Sequence, residues 1–579
     1  MNKAARRLIS DALARGRAKA RAPHPLAPAG PAGANRLGEV IAADQAFWDR
    51  QRRAARGGPK ILIATGNGGF APGAQVDGVL AAALTLRGAE AHFLLCDSAL
   101  PACSQAQLGM VSDPAKFAAH GPQGLLCEQC YPVGHAMHAP LELPIHRLSQ
   151  FLRPADIQAA TEAADNAAAA EIPAYQHAGL AVGEQAFANG LRYYARGDVA
   201  GEPDGERVLR RFLAAAILTA IGIDRLLKRE RFAAATVFDG IYVPHGVINL
   251  AARQLGLRVA NWHLAYRKQC LVFTEGEPRH LSLITEPNSH WEDLTLTDAM
   301  EATLMQYLGG RWSGVYDWAG RSFVREQPSE QVEDYQGRQV DFSRPTIGLL
   351  TNIIWDAQMF YKSAAFPTML EWSFRTIEYF AKRPDLQLLI RVHPAEVVGT
   401  LPSRQAWLAE AQRAFPTLPP NVYIVPPESR ADTYAMMTRC RAGLIYGTKT
   451  GIELACLGVP IIVAGQAWVR NKGITRDVAS ADEYLAELER LPNIEPMAPE
   501  LVQRARKYAY HFYFRRSIPL RLLESTAGWP PYRLKLDDLR ALLPGHDSGL
   551  DLICDSLLGH GDFIYPAEHY SSDIIAAMG

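Results

Sequence analysis

The feature that most constrains this chain is a rhythm. Short apolar runs of strand length alternate with segments long enough to be crossover helices, and the series occurs twice. The first begins at Pro59 with KILIATG, a GNGG turn, the helical stretch QVDGVLAAALTLRG and the strand AHFLLC; it resumes with FAAATVFDG, VINLAARQLG and LRVANWH. The second is cleaner: PTIGLLT, LQLLIRV, NVYIV, AGLIYG and VPIIVAG, each separated from the next by a helix-length connection. Parallel neighbours cannot be joined by a hairpin, so this pattern predicts two parallel, doubly wound α/β sheets, and two such domains in series enclose a cleft. A length of 579 residues also exceeds what one hydrophobic core organises.

The expected divisions follow. Residues 1–35, rich in Ala, Arg, Pro and Gly, read as a mobile basic tail; 36–330 as a first α/β domain with an Ala-rich helical insertion over 151–232; 331–515 as a second α/β domain; and 516–579 as a carboxyl-terminal tail, irregular or helical. Lys+Arg and Asp+Glu balance at 60 each, so no global field favours nucleic acid, and an anion has to be held by a local site. No stretch approaches the ~18 apolar residues of a membrane span, and the amino terminus lacks the apolar core of a secretory signal. The expectation is a cytoplasmic protein, with the basic terminus allowing peripheral contact with a membrane surface.

The strongest local signal is Tyr446-Gly-Thr-Lys-Thr-Gly-Ile-Glu453, where the strand AGLIY gives way to the helix TGIELACLG. Open α/β sheets bind ligands at the carboxyl ends of their strands, and the free N–H groups of a helix start favour an anion. Gly447 and Gly451 would let the backbone approach a phosphate, Thr448 and Thr450 offer hydroxyls, Lys449 a charge, and Glu453 an acceptor for a ribose diol. The spacing is not that of a P-loop, which removes the main support for a kinase or ATPase. Arg391-Val-His-Pro-Ala-Glu396 follows the neighbouring strand; Pro394 stops it, and His393 would face the same edge, to donate to a phosphate oxygen or protonate a leaving group.

TNIIWDAQ (351–358), FPTMLEWSFRTIEYF (366–380), IRVHPAE (390–396), YGTKTGIELACLGVPIIVAG (446–465), KGITRDVASADEYL (472–485) and KYAYHFYFRRSIP (507–519) together resemble the capsule polysaccharide biosynthesis family. That family includes the capsular Kdo transferases and is similar, in its HP and Ser/Thr motifs, to bacterial polysialyltransferases. The resemblance implies a GT-B-like fold with the nucleotide on the carboxyl-terminal domain and the acceptor on the amino-terminal one. By motif, His393 and Pro394 match the pair that contacts the nucleotide phosphate, with Arg391 beside them; Thr448 and Thr450 match the hydroxyl pair, and Glu453 the glutamate of the following helix. Lys449 departs from the small residue often found between the threonines. The function implied is sugar transfer from a nucleotide donor, with CMP-linked acidic sugars such as Kdo favoured, to a glycan or lipid-linked glycan of a capsule or surface polysaccharide. A CDP-polyol phosphotransferase, a UDP-sugar epimerase of the same fold and a non-catalytic regulator of polysaccharide export are the alternatives.

The amino-terminal half should supply the catalytic base without naming it. Asp97 after AHFLLC and His245 in FDGIYVPHG are candidates, as are Asp239, His263 and Glu275. No cofactor is expected for catalysis. Cys96, Cys103, Cys127 and Cys130 gather half of the eight cysteines, and the closing C-x-x-C suggests a structural zinc, with His135 and His138 as replacement ligands, against four free buried thiols.

Overall fold

In the computed structural model the described residues are 35–312, 317, 332–361, 365–398, 401–526 and 530–570. The basic segment read as a tail over 1–35 therefore lies, apart from Asn35, outside them.

In the first domain β1 (Lys60–Gly66), β2 (Glu90–Leu95), β3 (Ile145–Arg147), β4 (Ala234–Phe238) and β5 (Arg258–Leu264) are parallel, and β6 (Cys270–Glu275) runs antiparallel to β5. Both faces of this sheet are covered, which is why its strands are apolar throughout rather than alternating. In β1, Ile61 and Ile63 pack on the side of helix α1 (Ala71–Leu86), while Leu62 and Ala64 join the cluster of the opposite face. The Ala-rich segment 151–232 forms that opposite layer with Pro154–Asn166, Val182–Tyr194 and the long helix between β3 and β4. Helix α2 (Cys127–His138) precedes β3, that long helix is α3 (Gly205–Arg229), and α4 (His245–Gln254) links β4 to β5. After β6 come α5 (Arg279–Thr285) and α6 (Asp298–Trp312).

The second domain has six parallel strands, β7 (Thr346–Leu350), β8 (Gln387–Arg391), β9 (Val422–Val425), β10 (Ala442–Ile445), β11 (Ile461–Val463) and β12 (Arg476–Asp477), in the order β9-β8-β7-β10-β11-β12. Helix α7 (Thr450–Cys456) follows β10 and α8 (Pro499–Tyr510) leads out of the domain. In each sheet the strand order reverses at the first strand, between β1 and β4 and between β7 and β10. Such switch points are where doubly wound sheets open a crevice at their carboxyl edge.

Residues 516–570 are not a tail. Strand β13 (Ile518–Pro519) adds to β6 at the edge of the first sheet, and α9 (Ser548–Leu558) buries Leu550, Ile553, Cys554 and Leu557 in the first domain's core. Arg87 at the end of α1 donates to the carbonyl of Leu542 (2.8 Å) and pairs with Asp551. The chain thus returns from the second domain to complete the first.

The carboxyl edges of the two sheets face each other. The Tyr242 hydroxyl, beyond β4, donates to Asp356 Oδ1 and accepts from Ala357 N–H, both at 3.0 Å, beyond β7. Lys472, beyond β11, donates to the carbonyl of Glu286, just past α5, at 2.8 Å. Two Rossmann-like domains facing a cleft make the fold GT-B-like. Among the described residues no helix is long and apolar enough to cross a membrane.

Candidate active site

The second domain brings several of the expected residues to its switch point. Gly447 N–H, just past β10, donates to Asn352 Oδ1 just past β7 (3.2 Å), and the Thr448 hydroxyl meets both Thr450 Oγ1 (3.1 Å) and Thr450 N–H (3.3 Å) at the start of α7. One strand over, His393 N–H donates to Thr351 Oγ1 (3.0 Å), and its Nδ1 accepts from Ala395 N–H (3.1 Å). Acceptance at Nδ1 assigns the ring proton to Nε2. Burial, with a smaller push from Arg391, lowers His393 to about 4. At neutral pH the imidazole is therefore uncharged, a hydrogen-bonding group rather than a charged acid.

Four other residues of the expected nucleotide set are engaged inside the protein. Arg391 is 1% exposed and donates to the carbonyls of Pro426 and Ser429 and to Thr433 Oγ1, fastening the loop after β9. Glu453 is fully buried and accepts from Arg311 Nε (2.9 Å), Lys449 Nζ (3.2 Å), Tyr434 and Tyr513. A carboxylate so surrounded does not reach a ribose, and Lys449 is spent on it. At Gly451 a Cβ would stand 2.5 Å from Ile445 Cδ1, so that glycine serves the packing of α7 on β10 and not the approach of a ligand. Pro394 ends the strand run as expected and lies half-buried beside His393.

Across the cleft, the candidates for an acceptor-side residue separate sharply. Asp97 uses one oxygen on Ser149 N–H (3.0 Å) and the other on the Ser149 hydroxyl, capping the turn Leu148–Phe151. His245 is buried, with Nε2 on the carbonyl of Thr65 (2.9 Å), where it staples α4 to the end of β1. Glu275 ends an antiparallel strand, so it lies at the opposite edge of the sheet, 3.6 Å from Arg258.

Asp239 remains. It directly follows β4 at the switch point, and both it and Tyr242 hold positive φ, 59° and 67°. Aspartate tolerates this region and tyrosine does so at some cost, and together they turn the chain sharply at the sheet edge. Asp239 Oδ1 faces Arg279 Nε at 3.5 Å and His280 Nε2 at 3.6 Å, and none of these three buried atoms makes a hydrogen bond. Burial alone would raise the carboxyl, but its cationic surroundings hold Asp239 well below the usual carboxylate range; at neutral pH, with both neighbouring imidazoles lowered by burial, the charge that remains beside it is the Arg279 guanidinium. His263 itself stacks on Phe238, bonds Leu264 O through Nδ1 (2.8 Å) and is lowered by burial to about 4. Arg279 and His280 escape a reading of the sequence because they follow an unremarkable Glu-Pro step; the signal available is Pro278 ahead of a helix start aimed back at the sheet edge.

The four cysteines line one pocket beside Asn67 and Ser98, yet among the described residues no group of three or more His, Cys, Asp or Glu side chains is placed to hold a metal ion. Cys130 Sγ instead accepts from Gly69 N–H (3.1 Å), and burial raises Cys96 to about 12 and Cys127 to about 11. His135 is exposed, and His138 is stacked on Phe93 with Nε2 on Thr65 Oγ1, so neither serves as a replacement ligand. Cys103 and Cys130 are buried and Cys96 and Cys127 half-buried, and burial holds the thiols toward their protonated form.

No protein-family model matches the chain, and no curated protein matches it. Among solved structures, KpsC of Thermosulfurimonas dismutans, a beta Kdo 2,4 transferase, is 14% identical over 54% of this chain and 87% of that one, with a TM-score of 0.33. MnaA of S. aureus, solved with UDP, is 11% identical over 78% and 91% of the two chains (TM-score 0.26). UDP-GlcNAc 2-epimerase of Neisseria meningitidis, bound to UDP-GlcNAc, is 12% identical over 78% and 95% (TM-score 0.23). Likenesses of this size say nothing of this chain's chemistry, which rests on the residues of its own cleft. By its own sheet order and cross-cleft contacts, the chain is a GT-B-like protein of two Rossmann-like domains.

Proposed function

We propose that the chain is a glycosyltransferase that moves a sugar from a nucleotide donor held by the second domain to a hydroxyl of a glycan or lipid-linked glycan held by the first. The observation that carries this reading is that the two switch regions touch, Tyr242 beyond β4 meeting Asp356 and Ala357 beyond β7, with His393, Thr448 and Thr450 at the carboxyl edge of one sheet and Asp239, Arg279 and His280 at that of the other. In such a transfer the acceptor oxygen bonds the anomeric carbon as the bond from that carbon to the phosphate oxygen breaks, the electron pair leaves with the nucleotide, and the hydroxyl proton passes to the departing phosphate or to solvent. Donors at the second-domain edge would meet that growing negative charge. A carboxylate held ionised suits the positive charge that develops on the sugar better than it suits taking a proton. A CMP-linked acidic sugar such as Kdo, used at the cytoplasmic face for a capsular or surface polysaccharide, is the finer form of the proposal; its support is the resemblance of the 351–519 motifs and the Arg279 guanidinium at the cleft.

The test is a thermal-shift screen of CMP, CDP, UDP and GDP with wild type and Thr450→Ala, followed by transfer from the corresponding sugar donor. A ligand that binds the native state raises the melting temperature. One responding nucleotide, lost in the variant, and a sugar-bearing product support the proposal. Conversion of UDP-sugar without acceptor would favour an epimerase, a transferred phosphate would favour a phosphotransferase, and binding without turnover would favour a regulator.

A further inference from the structure

Helix α5 carries Arg279 and His280 to Asp239, yet both its ends are fastened to the other domain. At its start the Tyr361 hydroxyl lies 2.6 Å from His280 Nδ1, with the two rings edge to face at 5.0 Å. At its end the fully buried Lys472 donates to the carbonyls of Ile284 (3.2 Å) and Glu286 (2.8 Å). The groups facing the first domain's carboxylate are thus set from the second.

Which nitrogen of His280 carries the proton is decided by its two neighbours together. A proton on Nδ1 would leave the Nε2 lone pair pointing at Asp239 Oδ1, two acceptors face to face in a buried site. A proton on Nε2 lets Tyr361 donate to Nδ1 and turns an N–H toward the carboxylate. Burial lowers His280 below the ordinary imidazole value, so the neutral form is the one to consider.

We infer that Tyr361 is a positioning residue: by donating to His280 Nδ1 from across the cleft, it fixes the Nε2–H tautomer that faces Asp239, so the carboxylate site is complete when the two domains are closed on each other. The inference rests on reading this cleft as the glycosyl-transfer site, but its physical content is separately measurable. Arg279 Nε and His280 Nε2 stand within 3.6 Å of Asp239 Oδ1, and all three atoms lack hydrogen bonds of their own. A substrate hydroxyl would satisfy this arrangement by accepting from the two donors and donating to the acid.

The experiment uses the full chain labelled with 15N-histidine and long-range 1H–15N spectra, which separate protonated from unprotonated ring nitrogens. Wild type should contain a neutral histidine with an unprotonated Nδ1 that moves toward a mixture of tautomers in Tyr361→Phe, and the same signal should be absent from His280→Gln. If none of the 16 histidines responds to Tyr361→Phe, or the responding one carries its proton on Nδ1 in wild type, the inference is overturned. In transfer assays Tyr361→Phe should lower kcat by about tenfold with donor KM unchanged, as expected for loss of one aligned hydrogen bond. A tautomer shift accompanied by normal kcat would overturn the positioning role. A tautomer shift in a protein that transfers no sugar at all would count against the glycosyltransferase reading and leave the Tyr361–His280 assignment supported.

Discussion

Arg311 Nε donates to Glu453 Oε1 at 2.9 Å, with the carboxylate fully buried and the arginine side chain 5% exposed. The glutamate that the motif offers to a ribose is therefore a structural charge that joins α6 to α7, and Tyr434, Tyr513 and Lys449 complete its shell.

Removing one partner of a buried ion pair strands the other, at a cost of about 3–5 kcal/mol. Glu453→Ala and Arg311→Met should each lower stability by this order, measured by urea unfolding. A Glu453→Ala variant that keeps wild-type stability while losing nucleotide affinity would restore the ribose role.

His393 should behave in the opposite way. It stands just past β8, half-buried, as an uncharged Nε2–H donor, so His393→Ala should leave the melting temperature nearly unchanged while lowering turnover at saturating donor by about 10²–10³. Because burial holds the imidazole near 4, the loss should be equal at pH 6 and pH 8. A variant deficit that grows as pH falls from 8 to 6 would mean that the imidazolium acts.

Asp77 supplies the pH dependence. It is 2% exposed on α1, accepts from Trp262 Nε1 at 3.1 Å, and burial raises it from 3.8 to about 7. The folded state therefore holds this proton more tightly than the unfolded one. Its contribution is fully present below the unfolded value of 3.8, declines as pH rises, and is lost above about 7. Asp77→Asn should gain stability relative to wild type as pH is raised from 4 to 8, with a slope of about 1.4 kcal/mol per pH unit while the pH lies between those two values. A difference that stays flat over that range would show that burial does not hold the proton on this carboxyl.

Much of this architecture is legible in the sequence because burial on both faces writes itself as apolar runs: KILIATG, LQLLIRV and VPIIVAG are strands at the expected places. The second-domain switch point is legible for the same reason, since Thr448 and Thr450 lie at a strand-to-helix turn whose pattern is local. What escapes is long-range. Nothing local in Ile518–Pro519 says that it pairs with Leu271 and Cys270, and nothing local in Glu453 says that Arg311 and Tyr513 will surround it. In the sequence Asp239 is one acid among several, and only its neighbours from α5 single it out; likewise the spacing of four cysteines fixes neither their distances nor their charge.

For those cysteines the expected result is negative. Protein purified without chelator should carry no stoichiometric zinc, and the thiols should react slowly with a disulfide reagent in the native state, because burial keeps them protonated. About one zinc per chain, lost in Cys127→Ser with Cys130→Ser, would contradict the geometry.

The central claim is that the cleft between His393 and Asp239 is where a sugar changes partner, and Asp239→Asn tests it most directly. The substitution is nearly isosteric but removes the charge that faces Arg279, so the melting temperature of the variant is measured alongside and the folded protein is assayed. The measurement is the rate of sugar transfer under saturating donor, with nucleotide affinity read from the melting shift of the same preparation. The account predicts a fall of about 10² or more in transfer with nucleotide affinity unchanged. Near-wild-type transfer by folded Asp239→Asn would contradict it.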